Sequence, residues 1–140
     1  MITRFARTFS LLSNLALFLL CLGAAVPGTH RVLLPEGYGL TEIADRVWTD
    51  APNRRDELTA LLDQSKRSVS RFFGDAAPNP TVILCATPTC AEAFDIRGNG
   101  LSIADVAVMV SPPGLTLGTL THEMTHSRLH RNMGLRNIVS

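Results

Sequence analysis

Residues 103–132 read IADVAVMV, then SPPG, then LTLGTLTHEMTHSRLHRN. The first run, Ile103–Val110, is apolar and partly β-branched, which predicts a strand. Ser111-Pro112-Pro113-Gly114 stops it. Leu115–Asn132 then reads as a helix, with Leu115, Leu120, Met124 and Met133 as its core stripe and Gly134 as its C-terminal stop. Upstream, Thr81–Ala86 (TVILCA) is a short buried strand. Pro88–Phe94 is a helix capped by Thr87, with Pro88 in its first turn. Gly98-Asn99-Gly100 is a loop signal. Arg54–Phe73 is a long helix with apolar positions 58, 61, 62, 69, 72 and 73, ended by Gly74. Thr41–Asp50 has apolar residues at 43, 44, 47 and 48, a spacing that predicts a short helix capped by Thr41. Residues 28–40 are rich in Gly and Pro and read as an irregular lead-in. This order predicts an α+β domain over 41–140, a small β-sheet packed against long helices.

The amino terminus has a different character. Arg4 and Arg7 precede Phe9–Val26, an almost wholly apolar run of about 18 residues, and Gly23, Ala24 and Ala25 are small residues ahead of Pro27. Residues 1–27 therefore read as a secretory signal peptide or an uncleaved membrane anchor, and in both cases the rest of the chain is exported. A lipid-attachment cysteine is not expected at Cys21, because the bulky Leu20 precedes it.

Composition narrows the function classes. The chain has 140 residues, 46% hydrophobic and 18% charged, which excludes a disordered chain and fits one domain. The net charge is +1, and removing residues 1–26 leaves 11 basic against 12 acidic residues. A nucleic-acid partner is not expected without a basic excess. Trp48 and Tyr38 are the only Trp and Tyr, so no aromatic platform is predicted. Cys85 and Cys90 sit five positions apart, and in an oxidising compartment they suit a disulfide that closes a small loop; a zinc clip is the alternative.

The chemistry lies in Thr121-His122-Glu123-Met124-Thr125-His126, an H-E-x-x-H pattern within the last predicted helix. Residues four apart share a helix face, so His122 and His126 can converge on one Zn²⁺ at about 2.0–2.1 Å. Glu123 then stands beside the open coordination position, as a base for water whose pKa the cation lowers toward about 7. The same carboxyl can deliver the proton to a leaving amine.

In these residues the chain resembles the zincin family of metallopeptidases. Thr119, three before the first His, and the uncharged Leu120, Met124, Thr125 and Ser127 match that family's extended pattern, whereas Arg128 stands where it has an apolar residue. The resemblance implies a zincin-like fold and a strand before the active-site helix that lines the cleft and pairs with an extended peptide. The run 103–110 would be that strand's counterpart.

Zincins commonly take a third ligand from a His six residues past the second, or from a Glu on a later helix. Position 132 is Asn132, and no acid follows His126. His130 lies eight residues from His122, about 12 Å along a regular helix, too far for the three rings to share one ion unless the helix breaks after His126. Glu36, Glu92, Asp95 and Asp105 are upstream candidates, and a neighbouring chain or a missing segment are the others. The expectation is zinc-dependent peptide-bond hydrolysis on an exported, membrane-associated chain, with metal ligands His122 and His126 and catalytic Glu123. The alternatives are a non-catalytic zinc-binding protein and an anchored envelope protein with no metal.

Overall fold

The computed structural model describes residues 29–133. At its centre, β3 (Thr81–Leu84) and β5 (Ala107–Val110) pair in parallel, and every residue of β5 is buried. Such runs are apolar throughout because both faces of the strands are covered. Val82, Leu84, Val108 and Val110 belong to one apolar cluster, while Ile83, Ala107 and Met109 belong to another. Alternate residues of a strand point to opposite faces, so the two clusters are the two sides of the sheet.

The full sheet has five strands in the order β1-β2-β3-β5-β4. Strand β1 (Thr41–Ala44) pairs antiparallel with β2 (Val47–Thr49), and β2 pairs in parallel with β3. Strand β4 (Gly100–Ile103) lies antiparallel on the other side of β5. Four helices are present among the described residues: α1 (Thr29–Leu33), α2 (Arg55–Phe73), α3 (Pro88–Ala93) and α4 (Leu117–Met133). Leu58, Leu62 and Val69 of α2 join Leu120 and Met124 of α4 in the first cluster; Val32 of α1 and Cys90 and Ala91 of α3 join the second. The α+β class holds, and helices cover both faces of the sheet.

Three expected elements change. Thr41–Asp50 is not a helix but the β1–β2 hairpin. Apolar residues at 43, 44, 47 and 48 follow the helical spacing, but the parallel pairing of Val47–Thr49 with Val82–Leu84 overrides it and buries Ile43, Val47 and Thr49 instead. The hairpin turns at Asp45 and Arg46, with Arg46 at φ 60° and its N–H donating to Glu42 Oε1 at 2.9 Å. The run 103–110 is not one strand. It turns back over Ala104-Asp105-Val106, with Ala104 at φ 47°, so the preceding Gly100–Ile103 becomes the edge strand. Residues 28–40 are not wholly irregular, since α1 and a 3₁₀ turn at Pro35–Tyr38 bury Val32, Pro35 and Leu40. Residues 31–40 belong to the same compact unit as the sheet.

Two apolar residues expected in the core are outside it: Phe72 is 82% exposed on α2, and Met133 is exposed at the end of α4. The remaining expectations for the helices hold. Gly74 ends α2 at φ 75°, a left-handed conformation that glycine adopts without a Cβ penalty. Thr87 caps α3, its Oγ1 accepting from Cys90 N at 3.3 Å. Cys85 and Cys90 form a disulfide with Cα atoms 5.3 Å apart, which ties the end of β3 to α3. No helix among the described residues is long and apolar enough to cross a membrane. The expected signal or anchor over 1–27 and the expected stop at Gly134 lie outside the described residues.

Candidate metal centre

Helix α4 leaves β5 through a 3₁₀ turn, Pro112–Gly114, and starts at a cap made by Thr116, whose Oγ1 accepts from Thr119 N at 3.2 Å. Leu120 and Met124 are fully buried on the sheet. Side chains of that size contribute about 1.5–3 kcal/mol each when fully buried. Their burial sets the rotation of the helix. His122 and His126 consequently fall on its exposed side, and Glu123 falls at the boundary, 8% exposed.

The two imidazoles converge. Their Nε2 atoms are 3.0 Å apart, and the rings stand edge to face with centroids 4.5 Å apart. Two nitrogens held by one tetrahedral ion at about 2.0–2.1 Å lie about 3.3 Å from each other. The pair is thus within a few tenths of an ångström of that spacing, and a small rotation of either ring covers the difference. The donor set fits zinc, since neutral imidazole nitrogens are borderline-soft ligands. No group of three or more His, Cys, Asp or Glu able to hold a metal occurs among the described residues. Glu36, Glu92, Asp95 and Asp105 therefore do not join the pair. His130 does not join either: α4 runs unbroken from Leu117 to Met133, so the helix break that His130 needs is not there.

Glu123 faces a cleft of about 570 Å³ lined by Gly98, Asn99, Gly100, Gly118, Thr119, His122 and Glu123. Its side chain lies against the first residue of β4. A Cβ built on Gly100 would come within 2.9 Å of Glu123 Cγ and 3.0 Å of Glu123 Oε1. The Gly98–Gly100 wall is held from behind. Ser111 N donates to Asn99 O at 3.1 Å, and Ser111 Oγ donates to Gly98 O at 2.7 Å. Gly114 passes so near that a Cβ there would overlap Asn99 O at 1.8 Å. The sequence marked 98–100 as a loop. Its role as the wall opposite Glu123 went unread, although a glycine at a strand position often signals such a close approach.

The strand next to α4 at the cleft is β4. Strand β5, the second half of the run 103–110, is interior and has both edges paired, with β3 and β4. It has no free backbone groups for a peptide; β4 pairs on one side only.

Arg128, which stands where the zincin pattern has an apolar residue, is buried. Its guanidinium lies over the Phe73 ring, 5.3 Å from the centroid, and Asp75 accepts from both Nε and Nη2, the Nε bond at 3.1 Å. This bidentate pair fastens the second half of α4 to the end of α2. The hydrogen bond from Arg128 holds the Asp75 carboxyl below the usual carboxylate range, with the nearby charges of Arg128 and Arg131 acting in the same direction.

No protein-family model, curated protein or solved structure matches the chain.

Proposed function

We propose that this chain is a zinc-dependent hydrolase of peptide bonds, similar in its site to the zincins. His122 and His126 hold the metal and Glu123 is the general base. The observation that supports this most is the pair of Nε2 atoms 3.0 Å apart on the exposed side of α4, one of whose residues, His122, lines the same cleft as Glu123.

A bound zinc ion supplies Lewis acidity, polarising the scissile carbonyl and acidifying water. The residues do the rest. His122 and His126 would hold the positive charge on the exposed side of α4, next to the cleft that His122 lines. Glu123, one residue from the first imidazole, accepts the proton of the attacking water and passes it to the departing amine. Burial against Gly100 restricts the carboxylate to few rotamers, which favours an oriented base. The unpaired edge of β4 offers N–H and C=O groups to an extended peptide, as strand addition requires. Four residues of strand carry Leu101, Ser102 and Ile103 along that edge. The reading needs a third metal donor from outside the described residues, another chain included.

A second reading, zinc binding without hydrolysis, is favoured by the lack of a third donor among the described residues. One experiment separates the two. Wild type and Glu123→Gln are loaded with zinc and given an unfolded protein substrate. Hydrolysis by wild type that the variant loses, at equal zinc content, supports the hydrolase. Equal zinc content with no hydrolysis by either supports the binding protein, and no zinc in either leaves the anchored envelope protein with no metal.

A further inference from the structure

We propose that Leu33, Leu34 and Tyr38 form a lipid-facing foot that seats the domain on the outer surface of the membrane. Leu33 is 74% exposed and Leu34 is 63% exposed, although they are adjacent in sequence and both large and apolar. Tyr38, four residues past Leu34, is also exposed, at 40%. A single exposed leucine needs no explanation, but two adjacent leucines both held outward point to an interaction surface.

The segment is not a loose end. Val32 and Pro35, on either side of the two leucines, are buried. Arg31 Nη1 donates to the Ala93 carbonyl of α3, and the Tyr38 ring lies 5.5 Å from the buried Phe94 ring. The backbone is thus pinned to the domain on both sides, and the leucines are held outward by construction. If the surface were only a disordered leader, nothing would bury Val32 and Pro35 while excluding their neighbours.

The adjoining sequence selects the occupant. The apolar run Phe9–Val26 ends seven residues before Leu33, and seven residues span at most about 25 Å fully extended. If that run spans the membrane with Arg4 and Arg7 on the cytoplasmic side, the seven residues keep Leu33 and Leu34 within about 25 Å of the opposite interface. There the leucines reach the acyl boundary, and tyrosine suits the headgroup level because its ring is apolar and its hydroxyl is wet. A foot of this kind limits tumbling of the domain about its tether, and so fixes which face of α4 is presented to the exported space.

The test uses the domain from Thr29 onward, without the apolar run. Both hydrophobic clusters lie between Val32 and Met124, so this piece keeps its whole core. It is sedimented with vesicles of phosphatidylcholine and phosphatidylglycerol at millimolar lipid, since two leucines bind more weakly than one acyl chain. The expected result is partition into the pellet that falls at least tenfold in Leu33→Ser/Leu34→Ser, with an unchanged melting temperature. Wild-type domain that stays in the supernatant overturns the proposal, as does a double variant that partitions equally. A lipid-free dimer abolished by the same double variant assigns the surface to a second copy and also overturns it. None of these readings depends on zinc or hydrolysis.

Discussion

Glu123 and Gly100 are packed so closely that a single added methyl group on Gly100 would fall 3.0 Å from the carboxylate oxygen Oε1. The Glu123 side chain is therefore confined by the backbone of the edge strand, not by a hydrogen-bonding side chain. Among the described residues no side-chain partner holds Glu123, so the steric wall is what restricts it.

Gly100→Ala is expected to turn Glu123 away from the cleft while leaving both imidazoles in place. Hydrolysis should fall at least tenfold, and zinc affinity should stay within about twofold. The strain should cost about 1–3 kcal/mol of stability by urea unfolding. Loss of zinc together with activity would show that the wall supports the histidines instead.

The wall itself depends on Ser111 and Gly114. Gly114→Ala forces a Cβ into the Asn99 carbonyl and should destabilise the domain by at least about 1–3 kcal/mol, because the obstacle is backbone and not a flexible side-chain tip. Ser111→Ala removes the buried hydroxyl's hydrogen bond to Gly98 and should cost about 1 kcal/mol. Calorimetry on the two variants checks the order of these effects.

The Asp75–Arg128 pair predicts an acid limit. The folded carboxyl titrates below its ordinary value of 3.8, so the unfolded chain binds this proton first as pH falls. The pair's contribution is fully present above that value and is lost as pH drops through the lower, folded one. Asp75→Asn should lower the melting temperature at neutral pH and make it less dependent on pH below about 4. Arg128→Met should be milder than Asp75→Ala, since the first leaves an exposed carboxylate and the second leaves a buried, unpaired guanidinium. Thermal melts at pH 7 and pH 3 test both statements.

The Cys85–Cys90 bridge closes a short loop, with a sequence separation of 5. Chain-entropy reasoning assigns such a loop about 2 kcal/mol. Because Cys85 and Cys90 are both buried, Cys85→Ala/Cys90→Ala should cost that amount and a further packing loss. Unfolding with and without reductant separates the two contributions: reductant should destabilise wild type and leave the double variant unchanged.

Elements with one dominant signal were legible in the chain before its structure. Arg55–Phe73 shows a long helical period with a glycine stop, and Thr87-Pro88 is a cap followed by a first-turn proline. The His-x-x-x-His spacing needs nothing beyond helix geometry to bring Nε2 of His122 and His126 together. What was not legible depends on distant partners. Thr41–Asp50 becomes a hairpin because β3 is available beside it, and pairing with that strand overrides the helical spacing of a ten-residue segment. Ala104 turns the chain in a conformation that its residue type does not advertise, which hid β4. Arg128 looked like a departure from an apolar position, but its charge is met by Asp75, 53 positions away in sequence.

The central claim is that His122 and His126 share one divalent cation. It is tested most directly by titrating metal-free protein with zinc, in wild type and in His122→Ala, His126→Ala and His130→Ala. The account predicts about one zinc per chain for wild type and His130→Ala, and at least a hundredfold weaker binding once either His122 or His126 is removed. Wild-type protein that takes up no zinc, or binding that survives His126→Ala undiminished, would contradict it.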